Sequence, residues 1–210
     1  MKEIAIIDYD IGNIRSVSAC IEKVGAKAKL TRNFEEIMNS DGVILPGVGA
    51  FSYGMAKLEQ YSLDHVIKNF IATGKPLLGI CLGMQLLFSE SYEFGYTHGL
   101  NLITGSVKKL KLLNSEVQKL PHIGWSNIEP SANNSWGDSI LENISSKEHM
   151  YFCHSFIAIP ENKSDILSYT NYSDNKFCSA VKHGNVYGVQ FHPERSSTEG
   201  LKIIENFTSI

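Results

Sequence analysis

The sequence predicts an α/β fold in a single domain: a central, mostly parallel or mixed sheet flanked by helices, with an antiparallel β-rich second half. Three observations carry this. Over the first 80 residues, short β-branched apolar runs alternate with amphipathic stretches of helical period, the pattern of parallel strands joined by right-handed crossovers. From about Leu100 the pattern changes to short β-rich segments separated by turn residues. The whole length, 210 residues, holds no internal repeat, low-complexity tract or linker, and one core can organise a chain of that size. Residues 1–210 are therefore expected to form one domain.

Taken in order, KEIAIIDY reads as a strand, IRSVSACIEKVG as a helix ending at Gly25, AKAKLT as a strand, FEEIM as a short helix and DGVILPG as a strand. A longer helix is expected from about Tyr53 to Thr73, closed by Gly74, with KPLLGI following as a buried strand. In the second half LITGSVKKL, PHIGWSNIEP, MYFCHSFIAIP and ILSYTNY read as strands, and FCSAVKHGNVYGVQF as a hairpin folded at Gly184-Asn185. STEGLKIIENFTSI is a last helix returning to the sheet, and EPSANNSWGDS, Glu129 to Ser139, an exposed loop.

Composition narrows the function classes. The formal net charge is -3, and the one basic run, KKLKLL from Lys108, is too short and too apolar for a nucleic-acid patch. The first residues enter an apolar strand with no basic leader, cleavage site or apolar segment of spanning length, which predicts a soluble, cytoplasmic protein. The four cysteines (Cys20, Cys81, Cys153, Cys178) stand far apart without a CxxC pair, and the histidines and acids show no ligand spacing. Neither a disulfide frame, a metal nor an organic cofactor is expected. Cys20 lies on the apolar stripe of its helix, and Cys153 and Cys178 sit in strand-like runs, so all three read as core filler.

Cys81 is different. In Gly79-Ile80-Cys81-Leu82-Gly83 a strand ends and a helix begins within a few residues, and the two glycines remove the Cβ atoms that would collide at so sharp a turn. A sulfur at a helix N-terminus is favoured as the reactive thiolate, and the amide of Leu82 is free to stabilise an oxyanion. Of the seven histidines, His65, His98, His149 and His183 read as solvated surface. His192 ends an apolar strand in GVQFHPERSS, with Glu194 two residues on and on the same side of an extended chain, where a carboxylate can orient an imidazole. The plainer alternatives are a buried cysteine on an ordinary turn and a His-Pro-Glu that only turns the chain. Together in one chain, the two patterns favour nucleophile, base and orienter. GVGAFS, Gly47 to Ser52, lacks the third glycine and the distal acid of a dinucleotide fingerprint.

With these residues, the chain resembles the class I, triad-type glutamine amidotransferases. Six segments match in the correct order: DYDIGNIRSV (Asp8 to Val17), LPGVGAF (Leu45 to Phe51), GICLGMQLLF (Gly79 to Phe88), PHIGWSN (Pro121 to Asn127), YFCHSF (Tyr151 to Phe156) and GVQFHPERS (Gly188 to Ser196). Within that family they look like the glutaminase subunits of imidazole glycerol phosphate synthases, and the match spans essentially the whole chain. The resemblance implies a flavodoxin-like sheet on which Cys81 attacks the side-chain amide of glutamine, His192 shuttles the proton and Glu194 positions His192. A γ-glutamyl thioester forms, ammonia leaves and water releases glutamate. It implies an oxyanion hole near Val48 and Gly49 together with Leu82, and glutamine contacts from Gly47, Gln85, Glu93, His154, Ser155 and Phe156. Segments such as the last three usually contribute backbone, and a buried His154 could equally be a satisfied core residue. Trp125 is placed near the partner.

The elements account for the chain without a domain for a second substrate, so ammonia is expected to pass to another protein. The resemblance implies a heterodimer with a (β/α)8-barrel cyclase subunit, which receives ammonia through a channel, activates the glutaminase and makes imidazole glycerol phosphate and AICAR in histidine biosynthesis. Asp10 stands where the family often has glycine, Phe156 where tyrosine is common and Arg195 where lysine is usual. Three alternatives stay open: a paralogue supplying a sugar amidotransferase of surface-polysaccharide synthesis, a different cysteine hydrolase such as a γ-glutamyl hydrolase, and a catalytically silent binding subunit.

Overall fold

Short runs of β-branched residues that can bury both faces become the centre of the sheet. In the computed structural model, which describes residues 1–111, 119–131, 136–173 and 175–210, the elements begin β1 (Glu3–Ile7), α1 (Ile14–Lys23), β2 (Lys27–Thr31), α2 (Phe34–Asn39) and β3 (Gly42–Leu45). There follow α3 (Phe51–Gln60), α4 (Leu63–Ala72), β4 (Leu77–Ile80), α5 (Leu82–Leu86), β5 (Phe88–Ser91), β6 (Thr97–His98), β7 (Ile103–Lys109) and β8 (His122–Asn127). The remainder is β9 (Glu129–Pro130), β10 (His149–His154), β11 (Phe156–Pro160), β12 (Ile166–Tyr172), β13 (Asn175–His183), β14 (Val186–Val189) and α6 (Ser197–Ser209).

One sheet runs β2-β1-β3-β4-β14-β13-β12-β9; its pairs from β2 to β14 are parallel and its pairs from β14 to β9 antiparallel. Period-two alternation divides its core in two. Ala5, Ile7, Val43, Leu45 and Leu77 face α2 to α5, while Ile4, Ile6, Ile44, Leu78 and Ile80 face α1 and α6. β8 pairs with β10 in a small ribbon, and β11-β7-β5-β6 form a third sheet. Among the described residues no helix is long and apolar enough to cross a membrane.

Four expectations change. The helix expected over 53–73 is two helices, broken at Ser62, which takes a left-handed φ of 55°. The apolar stripe shows why: α3 buries Phe51, Met55 and Leu58 and α4 buries Leu63, Ile67 and Phe70, so the step from 58 to 63 is five residues and no single helix keeps both stripes on one face. MYFCHSFIAIP is not one strand, because the chain leaves β10 for a different sheet at Ser155. The loop Glu129 to Ser139, of which 132–135 lie outside the described residues, is anchored by Trp136; that side chain is buried and donates Nε1–H to the Leu167 carbonyl at 3.0 Å. Cys153 is exposed, not core filler, since along β10 burial alternates and the neighbouring Phe152 and His154 take the inward positions. Of the basic run, Lys108 and Lys109 are exposed on β7, and 112–113 lie outside the described residues.

Candidate active site

The parallel pair β4–β14 builds the site. Val189 is in register with Ile80, and the Cys81 amide donates to the Val189 carbonyl at 2.8 Å, so both strands end side by side. Cys81 occupies φ 54°, ψ −107°, a conformation that costs a non-glycine residue energy and persists only where its surroundings enforce it. The enforcement is steric. A Cβ on Gly83 would lie 1.8 Å from the Leu45 carbonyl oxygen, and one on Gly79 would lie 2.7 Å from the Gly83 backbone. Helix α5 is consequently pressed onto the ends of β3 and β4, and Cys81 stands at its N-terminus. Gly47 belongs to the same packing: a Cβ there would lie 2.7 Å from Tyr9 Oη and 2.8 Å from the Gly83 amide nitrogen. It is buried and does not line the cleft, so it supports the turn from below.

Beyond β14 the chain bends at Gln190 and Phe191, takes extended dihedrals at His192 and then closes a 3-10 turn over Pro193–Arg195. The turn, not strand alternation, brings Glu194 back to His192, with Oε1 2.9 Å from Nδ1. His192 is tied to β10 through its own amide to the Tyr151 carbonyl (2.9 Å), while Ser196 Oγ donates to the His192 carbonyl (2.6 Å) and accepts from the Tyr151 amide (3.0 Å). Burial opposes charge on this imidazole, but its hydrogen bonds to Cys81 and Glu194 and their negative charges outweigh burial and raise its pKa above the ordinary value. With Nδ1 taken by Glu194, Nε2 is the ring nitrogen left for Cys81. Glu194 also accepts a long hydrogen bond from Asn13 Nδ2 (3.4 Å), and its second oxygen is buried without a partner among the described residues.

These groups open on a cleft of about 730 Å³, whose walls include Val48, Gly49 and Leu82 beside Cys81, and Gln85, Glu93 and Phe156 further along. Glu93 Oε2 accepts the Phe51 amide at 2.7 Å, and burial raises its pKa. Gln85 Nε2 donates to the Phe156 carbonyl and to Gln190 Oε1, both at 3.0 Å. Ser155 and Phe156 line the cleft, half buried.

His154 is a satisfied core histidine. Its Nδ1 lies 2.9 Å from the Phe156 carbonyl, which only accepts, so Nδ1 carries the proton and Nε2 accepts from His122 Nδ1 at 3.1 Å; His122 Nε2 then takes the Ser126 hydroxyl proton at 2.9 Å. Burial lowers the pKa of His122 to about 4 and that of His154 to about 3, so both are neutral. The sequence alone gives neither His122 nor Gln190 a task. Gln190 is accessible by period two from His192, whereas His122 meets His154 only because β8 pairs with β10, which no local pattern reveals.

A thiol, an imidazole and a carboxylate in this sequence, at a helix N-terminus and open to a cleft, can carry out acyl transfer from an amide or ester. A family model described as glutamine amidotransferase class-I matches residues 5–210. The chain belongs to the class-I glutamine amidotransferases. Among relatives of this amidotransferase, "Imidazole glycerol phosphate synthase subunit HisH 1" of Legionella pneumophila (strain Paris) is 42% identical, with 100% of each chain covered. HisH of Aquifex aeolicus is 42% identical over 96% of this chain and 94% of its own, and HisH 2 of Methanococcus maripaludis 44% identical over 97% and 98%. The solved structure of PurLQS from Thermotoga maritima superposes with a TM-score of 0.75 at 20% identity, covering 100% of this chain and 99% of that one. A putative GMP synthase protein from Thermoplasma acidophilum gives 0.70 at 20% identity over 100% and 93%, and both likenesses speak to the fold alone.

Proposed function

We propose that this class-I amidotransferase is the glutaminase subunit of an imidazole glycerol phosphate synthase, with residues 1–210 acting as one cytoplasmic domain. The observation that carries the proposal is that Cys81 and His192 open on one cleft while Glu194 Oε1 stands behind the imidazole, 2.9 Å from Nδ1. Cys81 Sγ attacks the carboxamide carbon of glutamine, and the oxyanion forms against the amide of Leu82 and the loop at Val48 and Gly49. His192, held charged by its two partners, gives its Nε2 proton to the amide nitrogen; the C–N bond breaks and ammonia leaves. The γ-glutamyl thioester is then attacked by water, whose proton His192 takes, and C–S cleavage returns glutamate and the thiolate. Glu194 keeps the imidazole in the tautomer and orientation that both steps need.

Glutamine is held along the wall formed by Gln85, Glu93 and the His154-Ser155-Phe156 segment. Glu93 suits an ammonium group, and His154, neutral and saturated, serves through its backbone and ring surface. Gly47 acts at one remove, by letting the PGVG loop lie against the elbow. Ammonia passes to a (β/α)8-barrel cyclase, bound as the other half of a heterodimer, for the histidine pathway. The names of the HisH relatives support this partner. So do the apolar side chains exposed by the described residues, Ile123 and Trp125 on β8 and, at 87% exposure, Phe94 at the cleft.

The test is glutamate release from glutamine by the wild type and Cys81→Ala, each with and without the cyclase and its ribonucleotide substrate. Release is expected from the wild type alone, and strongly only when partner and nucleotide are both present. Equal release by Cys81→Ala overturns the mechanism, and release indifferent to the cyclase overturns the pathway and favours a sugar-amidotransferase partner.

A further inference from the structure

The nucleophile candidate has a second neighbour that the triad does not use. Gln190 is fully buried, two residues before His192. Val189 pairs with Ile80, and the residues just past the two strand ends, Gln190 and Cys81, are in contact. Gln190 Nε2 donates to Cys81 Sγ at 3.7 Å, and its Oε1 accepts from Gln85 Nε2 at 3.0 Å. The orientation of both amides follows from one fixed point. The Phe156 carbonyl can only accept, so Gln85 must turn its NH2 toward it; the second N–H of that group meets Gln190 Oε1, and the NH2 of Gln190 is left facing sulfur. An N–H donor aimed at a largely buried sulfur favours the anion over the thiol, because the charged form gains the hydrogen bond and the neutral form gains little.

We infer that Gln190 is a further catalytic residue, whose side-chain amide donates to the Cys81 sulfur and stabilises it as the attacking and the departing thiolate. Gln85 is a positioning residue in this relay, since it acts on sulfur only by fixing the Gln190 amide. The inference rests on the reading of Cys81 as the nucleophile and adds an N–H donor to a sulfur that also meets the Cys153 carbonyl at 3.9 Å, an acceptor that the thiol can meet and the thiolate cannot. It also explains a fully buried glutamine in an apolar strand end, which would otherwise be a costly place for an amide.

The test is alkylation by iodoacetamide across a pH series, on the full chain, read by mass on the peptide carrying Cys81, with the exposed Cys153 as internal reference. Gln190→Met, close in volume, is expected to move the onset of Cys81 alkylation up by about one pH unit and to slow it roughly tenfold below that onset. The Cys153 profile stays where it is. Gln85→Met shifts the Cys81 onset in the same direction by less, because the freed Gln190 amide spends part of its time turned away. A Gln190→Met protein that melts like the wild type and keeps the wild-type Cys81 profile overturns the inference. Should Gln190→Met not fold, Gln190→Glu keeps the shape and replaces the donor by an acceptor; its Cys81 onset is expected to rise, and an unchanged onset overturns the inference equally. Alkylation needs no glutamine, so failure of the glutaminase reading appears separately, as absent glutamate release by the wild type with its cyclase.

Discussion

Two histidine sites lie on either side of β10, both out of solvent, and burial drives their protonation in the same direction. At the His122–His154 pair burial wins: every hydrogen bond is to a neutral group, and both rings stay neutral far below their ordinary pKa. At His192 burial loses, because a thiol and a carboxylate face the two ring nitrogens and make the imidazolium the better-paired form. The charge favoured on His192 in turn helps to keep His154 neutral. What distinguishes an imidazole that favours charge from one that stays neutral here is therefore the charge of its partners and not its depth.

The most severe break of this contrast is Glu194→Gln, which removes a negative partner while keeping the shape. Glutamate release with the cyclase present is expected to fall on the order of 10³- to 10⁴-fold, as when the orienting acid of a triad is neutralised. The His192 pKa, followed by NMR, should drop below that of the wild type, and an unmoved pKa would dissolve the distinction.

Stability against pH separates the two sites without any mutation. His122 and His154 have depressed folded pKa values, so as pH falls below about 6.5 the unfolded chain takes up protons that the folded one refuses, and stability declines down to about 4. The loss over that window should be about 3 kcal/mol for each histidine, on the order of 6 kcal/mol for the two together, measured by urea unfolding at stepped pH. His192 has a raised folded pKa, so its contribution is fully present below about 6.5 and is lost as pH rises through the folded value. Glu194→Gln should flatten the alkaline limb and leave the acid limb unchanged.

A smaller change sharpens the neutral site. Ser126→Ala leaves His122 Nε2 without its donor and should cost about 1 kcal/mol in unfolding free energy. The smallest effect is expected at Asn13→Ala: its hydrogen bond to Glu194 is long at 3.4 Å, so glutamate release should fall less than about tenfold and the His192 pKa should stay above its ordinary value. A larger fall would make Asn13 an equal partner of Glu194.

Much of this was legible in the chain. The elbow around Cys81, the apolar runs of β1, β3 and β4 and the pairing of His192 with Glu194 are local or periodic, although the His192–Glu194 contact is made by a 3-10 turn and not by strand alternation. The departure at Asp10 also becomes clear. Its φ of 64° is the left-handed region that glycine takes without strain, and aspartate holds it here because its carboxyl gathers Tyr61, Arg32 and Lys57, which keep it well below the usual carboxylate range. That cluster joins β1, β2 and the α3–α4 corner, residues up to 51 apart in the chain.

By itself, then, the sequence determined the alternating first half, the β-rich second half and the sharp turn at Cys81, because strand period, helix period and a glycine-flanked turn are written within a few residues. Only the tertiary structure decided which histidines meet neutral partners and which meets a carboxylate, that Gln190 faces the sulfur, that Gly47 packs against the elbow and that Cys153 is exposed. Each of these depends on strand order and register, above all on β14 returning from the end of the chain to lie beside β4. Such pairing is chosen by burial summed over the whole core, and no window of sequence contains it.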